Sequence, residues 1–378
     1  MNVLAQLTGA IDAVCAAAPA RLADRESIQD LHRQLERLNA ATTRATAAFE
    51  AGGTWEGDGA RSAAAWLATR VRTALPAARR RLRLGRALRS MAHVEAAWLA
   101  GAIDADHVAA LAAARTPVST DCFERDEPML VDQAARLSHR HFSRALAYWC
   151  QRADPDGTEH DASAQLDARR LHLSQSLGGG WVLDGSFDPI GGAVLDGALR
   201  RIEDELFAHD WAQARARVGE AVCAADLARN PAQRRADAAV EMARRAGAMA
   251  PGARLPEPLV TVLVGYETLA GRICELADGT VVSPGSVLRW LDRAWVERVV
   301  FDGPDRVKHL GVRRRLFTGA VRRAVEVRDR ECFHEFCDRR AEDCEIDHVQ
   351  PYSAGGPTVE DNGRVACGYH NRLRHRRS

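Results

Sequence analysis

Soft metal donors gather in two short clusters near the end of the chain. Cys332 and Cys337 form the first cluster, and Cys367 and His370 form the second about thirty residues later. Thiolate and imidazole are the usual ligands of structural zinc, which takes four of them in a tetrahedron. The spacing therefore predicts one structural zinc ion that fixes a hairpin to the helix after it. We expect Cys344 to be buried in the strand before Asp347, with zinc ligation as the alternative.

A second set of residues suits a hard cation and the activation of water. It comprises Asp347, His348, Asn362, Asn371 and His375. Asn371 and His375 are one helical turn apart, so both can reach one ion together with the Asp347 carboxylate. On an extended chain His348 points away from Asp347, where a neutral imidazole can act as general base near pH 7. Asn362 can hold that imidazole or the backbone of the opposing strand. Such a set suits phosphodiester hydrolysis, which needs a nucleophile in line and neutralisation of phosphoryl charge.

The order of these residues resembles the HNH endonucleases, the ββα-metal class, in a zinc-stapled form. The matching positions cover about fifty residues and are Asp347-His348, Pro351, Gly355-Gly356, Asp361-Asn362, Cys367, His370, Asn371 and His375. The resemblance implies that Asp347 and Asn371 bind a catalytic Mg²⁺ or Mn²⁺ and that His348 acts on the water. It assigns Asn362 to orienting the base. His375 matches a second helix ligand of the colicin-type members.

Two positions depart from the family pattern. Gly363 stands where a leucine is usual, which predicts a lost core contact. We call residues 332–337 the first knuckle, and His334 within it is an additional candidate donor for zinc.

Length and composition indicate a soluble globular protein with room for two or three domains. The 378 residues are 46% hydrophobic and 27% charged, and no run approaches the roughly twenty apolar residues of a membrane span. The Ala-rich N-terminus lacks a basic start and carries Asp12, so it favours a helix over a signal peptide. Four of the nine cysteines lie in the last 47 residues and the others are scattered singly. This distribution indicates local metal binding and reduced thiols, as in a cytoplasm.

Basic charge gathers just before the HNH-like segment, although the formal net charge is only +1. Residues 305–330 contain nine Lys or Arg against three Asp or Glu, a surplus of six. Because arginine forks bind phosphate oxygens, this stretch predicts a nucleic-acid surface, with a compositional bias toward Arg as the alternative. The predicted phosphate-binding residues are Arg313, Arg314, Arg315, Arg322, Arg323, Arg372 and Arg374.

Helical spacing dominates the chain upstream. Apolar residues repeat every three to four positions from Asp30 to about Glu50, and Ser62 is placed to cap the next helix. Alternation around a triple glycine between Arg169 and Pro189 predicts a β-hairpin, and an apolar run from Leu259 predicts a buried strand. The fold class we predict is mainly α with some β (α+β). It combines a large helix-rich N-terminal region with a small zinc-stapled ββα domain.

The upstream region also resembles a family. Phrases such as DGARSAAAWLA, GWVLDGSFDP and QRRADAAVEMARRA are similar to the uncharacterised helical domain that precedes HNH nucleases in many actinobacterial proteins. The resemblance implies a domain arrangement and no chemistry for that domain. We expect residues 1–24 to form an N-terminal helix or flexible tail, 25–310 the helix-rich domain, and 311–378 the HNH domain with a basic lead-in helix.

Together these features predict a cytoplasmic endonuclease that hydrolyses DNA with Mg²⁺ or Mn²⁺ and carries one structural zinc. The predicted partner is DNA, and no membrane partner is expected. Two alternatives stay open. One is a zinc-dependent DNA-binding or regulatory protein with an inactive nuclease site, and the other is a nuclease that acts on RNA.

Overall fold

The structure is a computed structural model that describes residues 2–249, 259–263, 274–276, 279–288, 295–299 and 316–375. The chain forms two compact units, Met1–Asp154 and Pro155–Ser378. The domain boundary predicted between residues 310 and 311 lies outside the described residues and stays a prediction. Within the described part of the chain, no helix is both long and apolar enough to cross a membrane.

The first unit consists of α-helices joined by short turns. They are α1 Val3–Ala16, α2 Arg25–Gly52, α3 Ala63–Arg70, α4 Leu75–Leu88, α5 Ala92–Ala100, α6 Ala105–Ala114, α7 Thr120–Arg136 and α8 His139–Ala153. Ser62 caps α3 as predicted, because its hydroxyl accepts a hydrogen bond from the third residue of the helix.

The long helix α2 is fixed at its ends and in its middle. The Asp24 carboxylate caps its first turn, and Gly53 ends it in the left-handed conformation with φ 69°. Midway along, Glu36 accepts a hydrogen bond from the Trp98 indole N–H at 2.9 Å. The helix predicted from Asp30 to about Glu50 is confirmed. Its inner side meets a core whose largest fully buried side chains include Trp98, Phe123 and Phe142.

The second unit mixes helices and small sheets. Its described elements are α9 Pro155–Asp167, β1 Arg170–Gln175, β2 Trp181–Ser186, α10 Pro189–Val218, α11 Pro231–Gly247, β3 Leu259–Leu263, β4 Cys274–Leu276, β5 Val281–Val282, α12 Pro284–Leu288, β6 Trp295–Val299, α13 Gly319–Asp329, β7 Glu345–His348, β8 Gly363–Ala366 and α14 Gly368–His375. The strands β1 and β2 form the predicted antiparallel hairpin. The predicted strand at Leu259 is β3, an inner strand of a sheet with the order β5-β4-β3-β6, in which β3 and β6 are parallel. The predicted class, mainly α with some β, is confirmed.

The C-terminal ββα module has a small core of its own. The strands β7 and β8 pair antiparallel, and both α13 and α14 pack against this hairpin. A Cβ on Gly363 would lie 2.8–3.0 Å from side-chain atoms of Phe317, Val325 and Ile346. The loss of a core contact predicted at this position is therefore wrong. Neighbouring side chains already fill the space, and the glycine is what lets them approach.

Ion pairs join the module to other elements of its unit. Arg200 on α10 binds Asp343 at 2.5 Å, and Arg340 reaches Asp196 on α10 at 3.0 Å. Arg330, at the end of α13, pairs with the buried Glu275 on β4. Two of these bridges involve the segment between the first knuckle and β7, so α10 helps to hold that segment in place.

Candidate metal centre and active site

Four predicted ligands meet at one point of the ββα module. The donor atoms of Cys332, Cys337, Cys367 and His370 all lie within 4.8 Å of one another. His370 Nδ1 is 3.4 Å from Cys332 Sγ and 3.2 Å from Cys367 Sγ. The sulfurs of Cys337 and Cys367 are 3.9 Å apart. A zinc tetrahedron with Zn–S bonds of about 2.3 Å has edges of about 3.8 Å, so the four donors fit a closed zinc site.

Backbone groups hold the sulfurs in place. The N–H of Cys367 donates to Cys332 Sγ at 3.3 Å, and the N–H of His370 donates to Cys367 Sγ at 3.5 Å. The first knuckle is closed by a hydrogen bond from Cys337 N–H to the His334 carbonyl at 2.9 Å. Donors of this kind orient metal ligands and stabilise thiolates. Cys367, directly before α14, and His370, in its first turn, therefore supply two ligands and also the N–H groups that position the sulfurs of Cys332 and Cys367.

The pKa values of the donors are shifted by the same surroundings. Burial raises the pKa of the Cys337 thiol to about 11. At Cys367 burial also opposes the thiolate, but N–H groups of His370 and Tyr369 outweigh it and the pKa is lowered. Burial, and then the charge of His334, lowers the pKa of His370. The lowered pKa values of His370 and Cys367 favour the neutral imidazole and the thiolate that a metal requires, whereas the Cys337 thiol must lose its proton when the metal binds.

The two additional candidate donors lie outside this group. Cys344 is buried, as expected, and its thiol donates to the Arg339 carbonyl at 3.7 Å. Burial raises the pKa of Cys344 to about 12, so its thiol stays protonated. The His334 ring stacks on His370 with centroids 3.9 Å apart and planes 4° apart. His334 therefore supports a ligand ring and is not one of the four grouped donors.

Asp347 lies directly opposite Arg364 in the β7–β8 ladder. Arg364 Nε and Nη2 donate to Asp347 Oδ2 at 3.2 and 3.1 Å. The same guanidinium also lies over the Phe333 ring, with its Cζ 3.9 Å from the ring centroid. The Asp347 side chain is only 10% exposed. A partly buried carboxylate thus has a fixed cationic partner that the sequence did not predict.

Asn371 on α14 faces β7. Its Nδ2 donates to Glu345 Oε2 at 2.5 Å, and its Oδ1 is buried with no hydrogen-bond partner in the described part of the chain. Glu345 precedes Asp347 by two positions, so both side chains leave the same face of the strand. Carboxylate and amide oxygens are the ligands of Mg²⁺-class ions. The orphaned Asn371 amide oxygen and the carboxylates of Glu345 and Asp347 are therefore of the types that such a cation binds.

His348 contacts groups on the opposite face of β7 from Glu345 and Asp347. Its Nε2 lies 2.9 Å from Thr358 Oγ1, and Thr358 is buried. Its ring centroid is 4.5 Å from the Phe317 ring and 5.7 Å from the Tyr352 ring. A hydroxyl and two rings therefore restrain the imidazole. Asp347 and His348 contact different groups, as the alternation of a strand leads us to expect.

The Asn362 amide holds backbone. Its Oδ1 accepts from Gln350 N–H at 2.8 Å, and its Nδ2 donates to the carbonyls of Gln350 at 3.1 Å and Pro357 at 2.7 Å. The closed loop leaves no room at Gly356, where a Cβ would lie 2.0 Å from the Gln350 carbonyl oxygen. Of the two roles expected for Asn362, the structure therefore displays the backbone one.

The predicted phosphate-binding arginines are described only in part. Arg323 and Arg372 are exposed. Arg322 is engaged inside the module, where it donates to the Cys344 carbonyl at 2.8 Å and pairs with Glu326 at 2.6 Å. Outside the described residues lie Arg313, Arg314 and Arg315, together with the side chains of Arg374 and His375.

Glu345, Arg364 and Thr358 were not predicted from the sequence. Glu345 had a usable signal, because a residue two positions before Asp347 on a strand shares its face. The other two had none. Arg364 becomes a partner of Asp347 only through the register of β8, and Thr358 reaches His348 only through the fold of the loop between the strands.

A β-hairpin followed by a helix, with a Cys/His cluster and an Asp-His pair, defines the class of zinc-stapled ββα modules. Residues 330–377 match the family model described as HNH endonuclease. Residues 25–329 match the one described as domain of unknown function (DUF222). The chain belongs to the DUF222 family and carries a C-terminal HNH endonuclease domain, which confirms the predicted arrangement. No curated protein and no solved structure matches the chain. The HNH domain supports a nuclease-type function and implies nucleic acid as the substrate.

Proposed function

We propose that this protein is an endonuclease that hydrolyses DNA phosphodiester bonds with Mg²⁺ or Mn²⁺ and uses zinc only for structure. The observation that carries the proposal is the separate placement of Asp347 and His348 within the HNH match. Asp347 lies on the face with Glu345 and Asn371, and His348 lies against Thr358. Two neighbouring residues with different surroundings suit two different tasks, cation binding and proton transfer.

His348 accepts the proton of the attacking water. His348 Nε2 lies 2.9 Å from Thr358 Oγ1, and in the tautomer whose Nε2–H donates this hydrogen bond the lone pair is on Nδ1. That nitrogen is then the base, and an imidazole is suited to the role near pH 7. Asn362 contributes through the backbone, because its bonds to Gln350 and Pro357 hold the loop that leads to Thr358.

Asp347 and Asn371 would hold the catalytic cation, with Glu345 beside them and His375 as the further predicted ligand. When bound, the ion neutralises charge on the phosphoryl oxygens and on the leaving 3′-oxygen. The buried Asn371 Oδ1 supports this assignment, because an amide oxygen without a hydrogen-bond partner is costly to bury unless it binds something.

The zinc site has a different task. Protein atoms supply all four positions, so no coordination position is left for a water or substrate. The ion would tie the first knuckle to the start of α14, and its binding energy would contribute to folding. All nine cysteines are free thiols, which suits the reducing cytoplasm that we propose as the compartment.

A DNA-binding protein with an inert nuclease site is the second candidate. One observation favours it: Arg364 already neutralises the Asp347 carboxylate. If this ion pair persists, the cation loses a ligand, and the module could still bind phosphate through its arginines.

A plasmid-nicking assay separates the two candidates. The full-length chain is dialysed free of divalent cations other than bound zinc and then supplied with Mg²⁺, Mn²⁺ or neither. The variant His348→Ala, prepared in parallel, controls for contaminating nucleases. We expect cation-dependent cleavage that the variant lacks. Zinc-loaded protein that binds DNA and cuts neither DNA nor labelled RNA would favour the second candidate, and cleavage of RNA alone would correct the substrate.

A further inference from the structure

Three aromatic side chains around the zinc cluster are exposed. Phe336 is 83% exposed, Tyr369 65% and Phe333 42%. Single exposed apolar residues are ordinary on a protein surface, whereas a contiguous group marks an interaction site. We call Phe333, Phe336 and Tyr369 the ring surface.

Two histidines connect the members of the ring surface. The His334 centroid is 6.3 Å from that of Phe333 and 5.9 Å from that of Phe336. His334 also stacks on His370, and Tyr369 meets His370 edge-on at 5.0 Å. The exposed rings therefore form one group that is built around a zinc ligand.

The backbone beneath these rings is held firmly. Phe333 N–H donates to the Val365 carbonyl at 2.8 Å, and Phe336 N–H donates to His334 Nδ1 at 3.3 Å. Between them, the knuckle closes on the sulfur cluster. Side chains on a braced turn lose little conformational entropy when a ligand binds. The backbone of the ring surface is therefore preorganised for binding a ligand.

Arg364 links the ring surface to the proposed active site. Its guanidinium lies 3.9 Å from the Phe333 centroid and also donates to Asp347 Oδ2. Only the Arg364 side chain therefore separates Phe333 from the point where a phosphate of the DNA strand would react at Asp347. Exposed charges of both signs are near in sequence, with Arg339 and Arg372 on the positive side and Glu335 and Asp338 on the negative side, so Arg364 is the cation that the geometry places against the rings.

We propose that the ring surface stacks unpaired bases of the strand that is cut, so that single-stranded or locally unpaired DNA is the preferred substrate. The proposal rests on the proposed function, because Asp347 marks the reacting phosphate. Aromatic faces beside arginines bind bases by stacking and phosphates by charge. In a duplex the bases stack on one another and must be extruded before a ring can reach their faces. The combination of rings and guanidinium groups suits a nucleic acid better than an apolar protein partner.

The test measures binding without cleavage. In the full-length chain carrying His348→Ala, affinity is measured by 2-aminopurine fluorescence for a single-stranded oligonucleotide and by anisotropy for its duplex. The double variant Phe336→Ala/Tyr369→Ala is compared with Phe336→Trp, which keeps a stacking face. Trp181→Ala is the matched control, because Trp181 is 64% exposed on the β1–β2 hairpin. Zinc content reports whether each variant keeps the fold of the module.

We expect the double variant to bind the single strand about 10- to 100-fold more weakly and the duplex within about twofold of its parent. Phe336→Trp and Trp181→Ala should bind as the parent does. Unchanged single-strand affinity in a zinc-loaded double variant would overturn the proposal, and so would equal losses on both ligands, which would indicate phosphate contacts. The nuclease assignment is judged separately. Suppose that the wild-type chain cuts no nucleic acid but that the double variant still loses single-strand affinity as expected. The ring surface is then a base-stacking site, and the proposed nuclease function is wrong.

Discussion

Arg364 donates two hydrogen bonds to a single carboxylate oxygen of Asp347 from the position directly across the β7–β8 ladder. The pair is partly buried, with 25% of the Arg364 side chain and 10% of the Asp347 side chain exposed. The arginine fixes the carboxylate and at the same time offers a positive charge where a cation would bind. These two effects act in opposite directions on cation affinity.

The variant Arg364→Gln should bind the catalytic cation more tightly. Glutamine keeps polar reach but removes the competing charge, and a partly exposed pair contributes about 1 kcal/mol, so we expect roughly threefold to tenfold tighter binding. Mn²⁺ binding to zinc-loaded protein, followed by electron paramagnetic resonance, measures this directly. Asp347→Ala is the blank for the site. Weaker Mn²⁺ binding by Arg364→Gln would mean that the arginine chiefly orients the carboxylate.

The zinc prediction contrasts two cysteines of the module. Cys332→Ser should remove zinc and unfold the module, because one lost ligand weakens a clamp whose binding energy is folding energy. Cys344→Ser should keep zinc, since this buried thiol bonds the Arg339 carbonyl and lies outside the donor group. Elemental analysis should find about one zinc per wild-type chain. Should Cys344→Ser lose zinc as completely as Cys332→Ser, the assigned donor set is incorrect.

Gly363 provides a test of packing. Three core side chains lie within 3.0 Å of the position of its missing Cβ, so Gly363→Ala should destabilise the module by about 1–3 kcal/mol through overpacking. Gly368→Ala is the matched control, because the atoms nearest to a Cβ there belong to the flexible guanidinium of Arg372 and lie 3.4 Å or more away. Denaturant titrations of the two variants, with zinc release as the signal for unfolding, give midpoints that can be compared. Equal midpoints would show that the core rearranges to accept the methyl group.

Features that depend on neighbours along the chain could be predicted from the sequence. The four grouped zinc donors could be predicted because ligand types and short spacings define them, and the Asp347-His348 pair was singled out by its place in the HNH order of residues. The β1–β2 hairpin followed from alternation around three glycines, and α2 from its apolar repeat.

Features that depend on distant pairing could not be predicted. The contact between Arg364 and Asp347 requires the register of two strands, and the bond between Asn371 and Glu345 requires the angle at which α14 leaves β8. The prediction at Gly363 failed for the same reason. Its packing depends on Phe317 and Val325, which are far from it in the sequence and meet it only in the folded module.

His348→Ala and Asp347→Ala should fail in different ways, because the two residues have different neighbours. Loss of the base should lower the cleavage rate by about 10² to 10⁴ while cation binding stays nearly intact. Loss of the carboxylate removes a cation ligand, so higher Mg²⁺ or Mn²⁺ should restore part of the activity. Cleavage rates measured across a cation titration distinguish the two defects. Rescue of His348→Ala by added cation, with Asp347→Ala still inactive, would exchange the roles. Normal cleavage by both variants would place the active site elsewhere in the chain.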